Sequence, residues 1–130
     1  QQYMSLFIGD RSQNMLPAGS LYEAGALLTL SSDWDADALS PLVKLEAVLT
    51  RKNQGIPSLE AAIEMMTLNP AKLLRHDDKT GSIEVGKYAD LVILSRNLFE
   101  VPVSKIDGTE VEATLLHGEV VYDPEGLFEQ

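Results

Sequence analysis

Ala26-Leu27-Leu28-Thr29-Leu30-Ser31-Ser32-Asp33-Trp34 is the stretch on which the fold turns. A short apolar run, bounded by Gly25 on one side and by the polar Ser31-Ser32-Asp33 on the other, is the pattern of a strand covered on both faces, as in a parallel sheet. A buried helical turn carries the same apolar signature. A strand here puts Asp33 at its carboxyl end, where parallel α/β barrels assemble their active sites. A carboxylate so placed can ligate a divalent metal and take a proton from its bound water, because the ion lowers that water's pKa. An aspartate just after a strand is also a common helix cap or turn former, so the position alone does not decide between the two roles.

Upstream, Leu16-Pro17-Ala18-Gly19-Ser20 reads as a loop leading into a helical turn over Leu21 to Ala24, which Gly25 closes at the C′ position. Downstream, Ser40-Pro41 supplies an N-cap and a proline at the first helical position. Leu42, Leu45, Val48 and Leu49 then recur at helical spacing, which predicts an amphipathic helix to about Lys52. Gly55-Ile56-Pro57 breaks the chain, and Ser58 can cap a second helix whose buried stripe is Leu59, Ala62, Ile63 and Met66. Asn69-Pro70 repeats the cap-plus-proline device and starts Ala71 to Arg75, with Leu73 and Leu74 expected to face inward.

From Asp77 onward the period changes from 3.6 to short strands separated by glycines, which places a boundary near His76 to Thr80. Gly81-Ser82-Ile83-Glu84-Val85-Gly86 reads as a turn-rich segment, and Ala89-Asp90-Leu91-Val92-Ile93-Leu94 as a buried strand. Val111 to Leu115 alternates apolar and polar residues. The two-residue turn His117-Gly118 joins it to Glu119-Val120-Val121-Tyr122, predicting a hairpin. The glycines of Gly81 to Gly86 are not spaced as a dinucleotide fingerprint and do not lead from a strand into a helix, so they read as turns.

The 130 residues suit one ordinary domain and fall short of the roughly 200 to 250 residues of a complete (β/α)8 barrel, so any barrel elements are a remnant. Twenty acidic against ten basic residues give a formal charge of -10, which opposes binding to nucleic-acid phosphates and anionic lipid. The acidity is spread along the chain, as on a solvated surface. No cysteine is present, which removes disulfides, thiolate ligands and a cysteine nucleophile, and agrees with the cytoplasmic location expected here. No apolar stretch approaches the roughly 20 residues of a membrane span, and the N-terminus lacks the basic region of a signal peptide. His76, near the end of the last helix, and His117, in the hairpin turn, have no spacing to Asp33 that predicts a shared ion, and both read as surface or structural residues.

Three motifs together resemble the amidohydrolase superfamily: Gly25-Ala26 through Ser31-Ser32-Asp33-Trp34, then Thr67-Leu68-Asn69-Pro70-Ala71, then Gly81 through Leu94. The resemblance runs from about Asp10-Arg11 to Tyr122 and is nearest to the amidohydrolase-3 branch, which is similar to N-substituted formamide deformylases. It implies an α/β plus β fold: residues 1–76 as the last strand and helices of a (β/α)8 barrel, and residues 77–130 as the C-terminal part of a flanking β-sandwich. It also implies hydrolysis of amide or formamide C–N bonds by metal-activated water, with Asp33 as metal ligand and general base. Zinc is the implied metal.

The remaining ligands of such a site are histidines and a bridging group from earlier strands that this sequence does not contain, so no metal is expected on this chain alone. Arg11 matches an arginine ahead of the last strand in this branch, which could hold Asp33 or a substrate carboxylate; a surface arginine is the plainer reading. Trp34 is either a pocket wall beside Asp33 or a packing residue. Ser31 and Ser32 are placed to orient the carboxylate, and Ser32 has no base partner to make it a nucleophile. The expected partners are a small-molecule amide substrate, and a missing N-terminal region or a second copy to cover apolar faces. A deaminase of the same superfamily and a non-catalytic α+β association module are the alternative functions. The isolated chain is expected to be inactive.

Overall fold

The computed structural model describes residues 2–36 and 38–128; the terminal bounds at 1 and 130 and Asp37 lie outside the described residues. Helix α1 (Gln2–Ile8) runs into a 3₁₀ stretch (Gly9–Asn14), followed by α2 (Ala18–Glu23), α3 (Pro41–Thr50), α4 (Leu59–Glu64) and α5 (Leu68–Leu74). Strands β1 (Leu91–Leu94), β2 (Val111–Leu116) and β3 (Glu119–Tyr122) form an antiparallel sheet in the order β1-β2-β3.

Helices α2 to α5 lie near the segments that the sequence signals mark, whereas α1 and the 3₁₀ stretch after it were not anticipated. Helix α2 begins at Ala18, earlier than its predicted turn, and Gly25 at φ +78 closes it. The Gly25 N–H donates to Tyr22 O and the Ala26 N–H to Leu21 O, the paired bonds of a Schellman motif. Proline starts α3 as expected, although the Ser40 hydroxyl makes no capping bond. In α4 the Ser58 Oγ accepts the Ala61 N–H at 3.2 Å. Replacing Ser58 by alanine is expected to cost about 1 kcal/mol, read as a lower urea midpoint with an unchanged m-value.

Leu42 and Leu45 of α3 and Ala61, Ala62 and Met65 around α4 pack with Ile56, Leu98 and the fully buried Ile106 in one core. Helices and sheet-side loops are thus joined by apolar contact, and Glu46 of α3 adds a polar tie by accepting the Asp107 N–H at 3.1 Å.

Four local expectations are corrected. Residues 26–30 form no strand; they run as an unpaired segment, because no strand among the described residues lies alongside to make a ladder with them. Asn69 does not cap α5: Thr67 holds that position and Asn69 lies within the helix. Leu73 and Leu74 are 61% and 65% exposed, and Ala71 is the buried residue of α5. The strand expected to be buried is half-buried, with Val92 exposed.

The hairpin forms as read. His117 and Gly118 have φ of 54° and 84°, the two left-handed residues of a type I′ turn. In the turn before β1, the Ser82 hydroxyl donates to Glu84 Oε1 at 2.5 Å, and Lys87 Nζ lies 2.6 Å from Ser82 Oγ and 3.2 Å from Glu84 Oε1. The Ser82 hydroxyl, then Lys87, holds the Glu84 carboxyl below its ordinary value. A depressed carboxyl adds stability above its unfolded pKa and loses it as pH falls through the folded one. Ser82→Ala is therefore expected to raise the Glu84 pKa toward the ordinary range in a carbon-detected NMR titration.

Candidate functional site

Asp33 ends an extended segment whose residues alternate. Leu28, Leu30 and Ser32 are half-buried, while Leu27, Thr29, Ser31 and Asp33 are exposed, the period of 2 that extended chain imposes. Leu28 and Leu30 pack against the α3–α4 core. The opposite face, which carries Asp33, has no covering layer among the described residues.

Two hydrogen bonds hold this segment to the helices. The Leu30 N–H donates to Met65 O at 2.8 Å, and the Asn69 Nδ2 amide donates to Leu28 O at 2.9 Å. The second bond spans 41 residues of sequence, and the capping role expected of Asn69 concealed it.

Asp33 itself sits at φ 50°, in the left-handed region that aspartate tolerates better than most residues. Its N–H points to Ser31 Oγ at 3.5 Å and its carbonyl accepts the Ala36 N–H at 2.8 Å, so the backbone turns sharply just after the segment. Among the described residues no hydrogen bond or ion pair reaches the Asp33 carboxylate. Trp34 is 66% exposed beside it, so the indole is not a core residue here. Arg11 is exposed in the 3₁₀ stretch, and no hydrogen bond or ion pair joins it to Asp33.

A cleft of about 480 Å³ opens between α2, the extended segment and α3, walled by Leu16, Leu21, Leu28, Leu30 and Val48 with Ser31, Lys44 and Arg51 at its polar points. Arg51 reaches across to donate to Met15 O, closing one end. The His117 ring lies tilted against Tyr88 with ring centroids 4.2 Å apart, and the His117 backbone N–H donates to Asp90 Oδ1 at 2.8 Å. His117 is therefore tied to the sheet, and His76 is exposed beyond α5.

Among the described residues no group of three or more histidine, aspartate or glutamate side chains converges to hold a metal ion. A single exposed carboxylate cannot bind a catalytic metal against water, so the described residues do not by themselves fit the metal that the motifs imply. Among the described residues no helix is long and apolar enough to cross a membrane.

Comparison with solved structures places this arrangement. An amidohydrolase from Thermotoga maritima superimposes with a TM-score of 0.64 at 31% identity, over 79% of this chain and 24% of that one. An adenosine deaminase from Xanthomonas campestris with bound zinc superimposes with a TM-score of 0.71 at 21% identity, over 91% of this chain and 32% of that one. The chain shares its fold with amidohydrolase-type structures, a class built on (β/α)8 barrels. The model of the Amidohydrolase family matches residues 3–122, and the chain belongs to that family. N-substituted formamide deformylase of Arthrobacter pascens is 25% identical over 135 aligned positions, 96% of this chain and 25% of that protein. The chain spans about a quarter of the length of the curated relatives it matches.

Proposed function

We propose that these residues are the C-terminal part of a metal-dependent hydrolase that cleaves non-peptide C–N bonds of small amide or formamide substrates. In this reading residues 1–76 supply the last strand and helices of the barrel, and residues 77–130 part of the flanking β-sandwich. The observation that carries it is the exposed Asp33 carboxylate at the end of an extended segment, one face packed on helices and the other uncovered, within a family match spanning nearly the whole chain. The edge of the segment that has no ladder partner among the described residues is where a neighbouring strand of a longer polypeptide, or of a second copy, would add its backbone.

Asp33 is the one residue here to which a reacting role is assigned. An ionised carboxylate in that position accepts the proton of the attacking water and returns it to the departing amine nitrogen. It also contributes one ligand to a divalent metal, zinc by preference. The other ligands come from outside the described residues, and when bound the metal supplies Lewis-acid activation of the water. Trp34, open to solvent next to Asp33, is assigned to the substrate pocket; Arg11 is assigned there only if the covering polypeptide draws it inward. Deamination uses the same proton transfer, with ammonia as the departing amine, so the same residues serve either reaction.

The test is an assay of the complete hydrolase against N-formyl amines, simple N-acyl amines and amino-substituted heterocycles, before and after chelator treatment. Amine or ammonia release that chelation abolishes and zinc restores is the expected result. A polypeptide that takes up no metal and releases neither product would leave the chain as a non-catalytic association module.

A further inference from the structure

We propose that Asn69 is a positioning residue for Asp33, and that the three sequence motifs act as one mechanical unit in which the glycine-rich turn holds α5, and α5 holds the aspartate segment. The proposal rests on the reading of Asp33 as the reacting carboxylate. Among the described residues, the hydrogen bonds that tie Leu27 to Ser32 to the helices are the two that end on Met65 and Asn69. The Met65 bond is backbone to backbone and any residue could make it. The Asn69 bond requires a side-chain donor of the right length, five residues ahead of Asp33 at Leu28.

The helix that carries Asn69 is built for this task. Pro70 follows it within the first turn of α5, where a missing N–H costs the helix nothing because that donor has no intrahelical partner. Thr67 occupies the N-cap, which leaves the Asn69 amide to reach outward.

On its other side α5 is approached so closely by Gly81 that a Cβ there would lie 2.6 Å from the Ala71 Cβ and 3.1 Å from the Leu68 Cα. Leu68 and Ala71 flank Asn69 and Pro70, so the turn fixes the position of the amide. Ser82, Glu84 and Lys87 lock that turn in turn. Contact thus runs without a break from the Gly81 turn through α5 to Leu28 and on to Asp33.

Asn69→Asp is nearly isosteric but presents only acceptors to the Leu28 carbonyl when ionised, whereas Asn69→Gln keeps the amide donor. The experiment is NMR of the 130-residue chain and its variants, reading amide exchange at Leu30 and the φ-dependent coupling of Asp33, with the amides of β1 to β3 as internal reference. In Asn69→Asp, exchange at Leu30 is expected to rise about tenfold, the factor that corresponds to one hydrogen bond of ordinary net strength. The Asp33 coupling is expected to shift while the sheet amides hold, and Asn69→Gln is expected to recover part of both. Asn69→Ala, which removes the donor without adding charge, carries the same comparison if the aspartate variant does not fold.

Unchanged Leu30 exchange and Asp33 coupling would overturn the proposal. So would exchange that rises equally in the sheet, since Asn69 would then be a general stability residue. A variant whose Asp33 segment moves while the complete hydrolase keeps full turnover would count against the catalytic reading of Asp33 and leave the tether standing.

Discussion

Asp33→Asn in the complete hydrolase is expected to lower kcat by roughly 10² to 10⁴, the range that a positioned acid–base group contributes. At about 1.36 kcal/mol per tenfold this corresponds to roughly 3 to 5 kcal/mol of transition-state stabilisation. Asparagine preserves shape and some ligand capacity, but it cannot accept the proton of the attacking water. The loss is therefore expected in kcat, with KM nearly constant, because the exposed carboxylate is assigned to the reacting water rather than to holding substrate. Metal content measured on the same preparations separates proton transfer from ligand loss. A variant that keeps its metal and loses kcat supports the base role; one that loses both in proportion makes Asp33 a ligand first. Turnover within a factor of a few of the parent would remove Asp33 from the chemistry.

The parts of this fold that were legible in the sequence are those whose signals are local. The His117-Gly118 turn needed two left-handed residues, and a glycine beside a small polar-tipped ring announced them. Helices α3 and α4 declared themselves by a cap or a proline and a stripe long enough to define a face, and the same residues line the core. In helix α5 the two leucines are adjacent and do not recur at helical spacing, so nothing local fixed a face, and Leu73 and Leu74 were assigned to the inside when Ala71 is the buried residue. The apolar run at 26–30 was read as a strand covered on both faces, but a strand is a property of two chains, and the segment has no partner among the described residues, with Leu27 exposed and Leu28 and Leu30 half-buried. Asn69 was the opposite failure: a cap is a local explanation of an asparagine before a proline, whereas its amide is committed 41 residues away. Asp33 was found by its place at the end of the segment. Its relation to Arg11 could not be read, because nothing in the spacing of the two residues fixes a contact and the structure supplies none.

Gly81→Ala is expected to be strongly destabilising. Gly81 lies at φ +89, where a Cβ costs about 1 to 2 kcal/mol in a left-handed backbone. The added carbon would also fall 2.6 Å from the Ala71 Cβ, 3.1 Å from the Leu68 Cα and 3.2 Å from the Thr67 carbonyl oxygen. Those neighbours are backbone or the stub of a buried alanine, so no flexible side chain can swing aside, and overpacking adds about 1 to 3 kcal/mol. The sum, roughly 2 to 5 kcal/mol, is a large part of the roughly 5 to 15 kcal/mol by which a domain is stable, and a fall in Tm on the order of 10 °C follows. Gly86 provides the control. Its φ of +96 imposes the same backbone strain, but a Cβ there meets nothing within 4 Å, so Gly86→Ala is expected to cost the strain alone. Denaturant midpoints for the two variants then isolate the close approach. A Gly81 variant no worse than its Gly86 counterpart would mean that α5 yields to the turn at little cost, and a helix that yields so readily could not hold Leu28 and Asp33 in place.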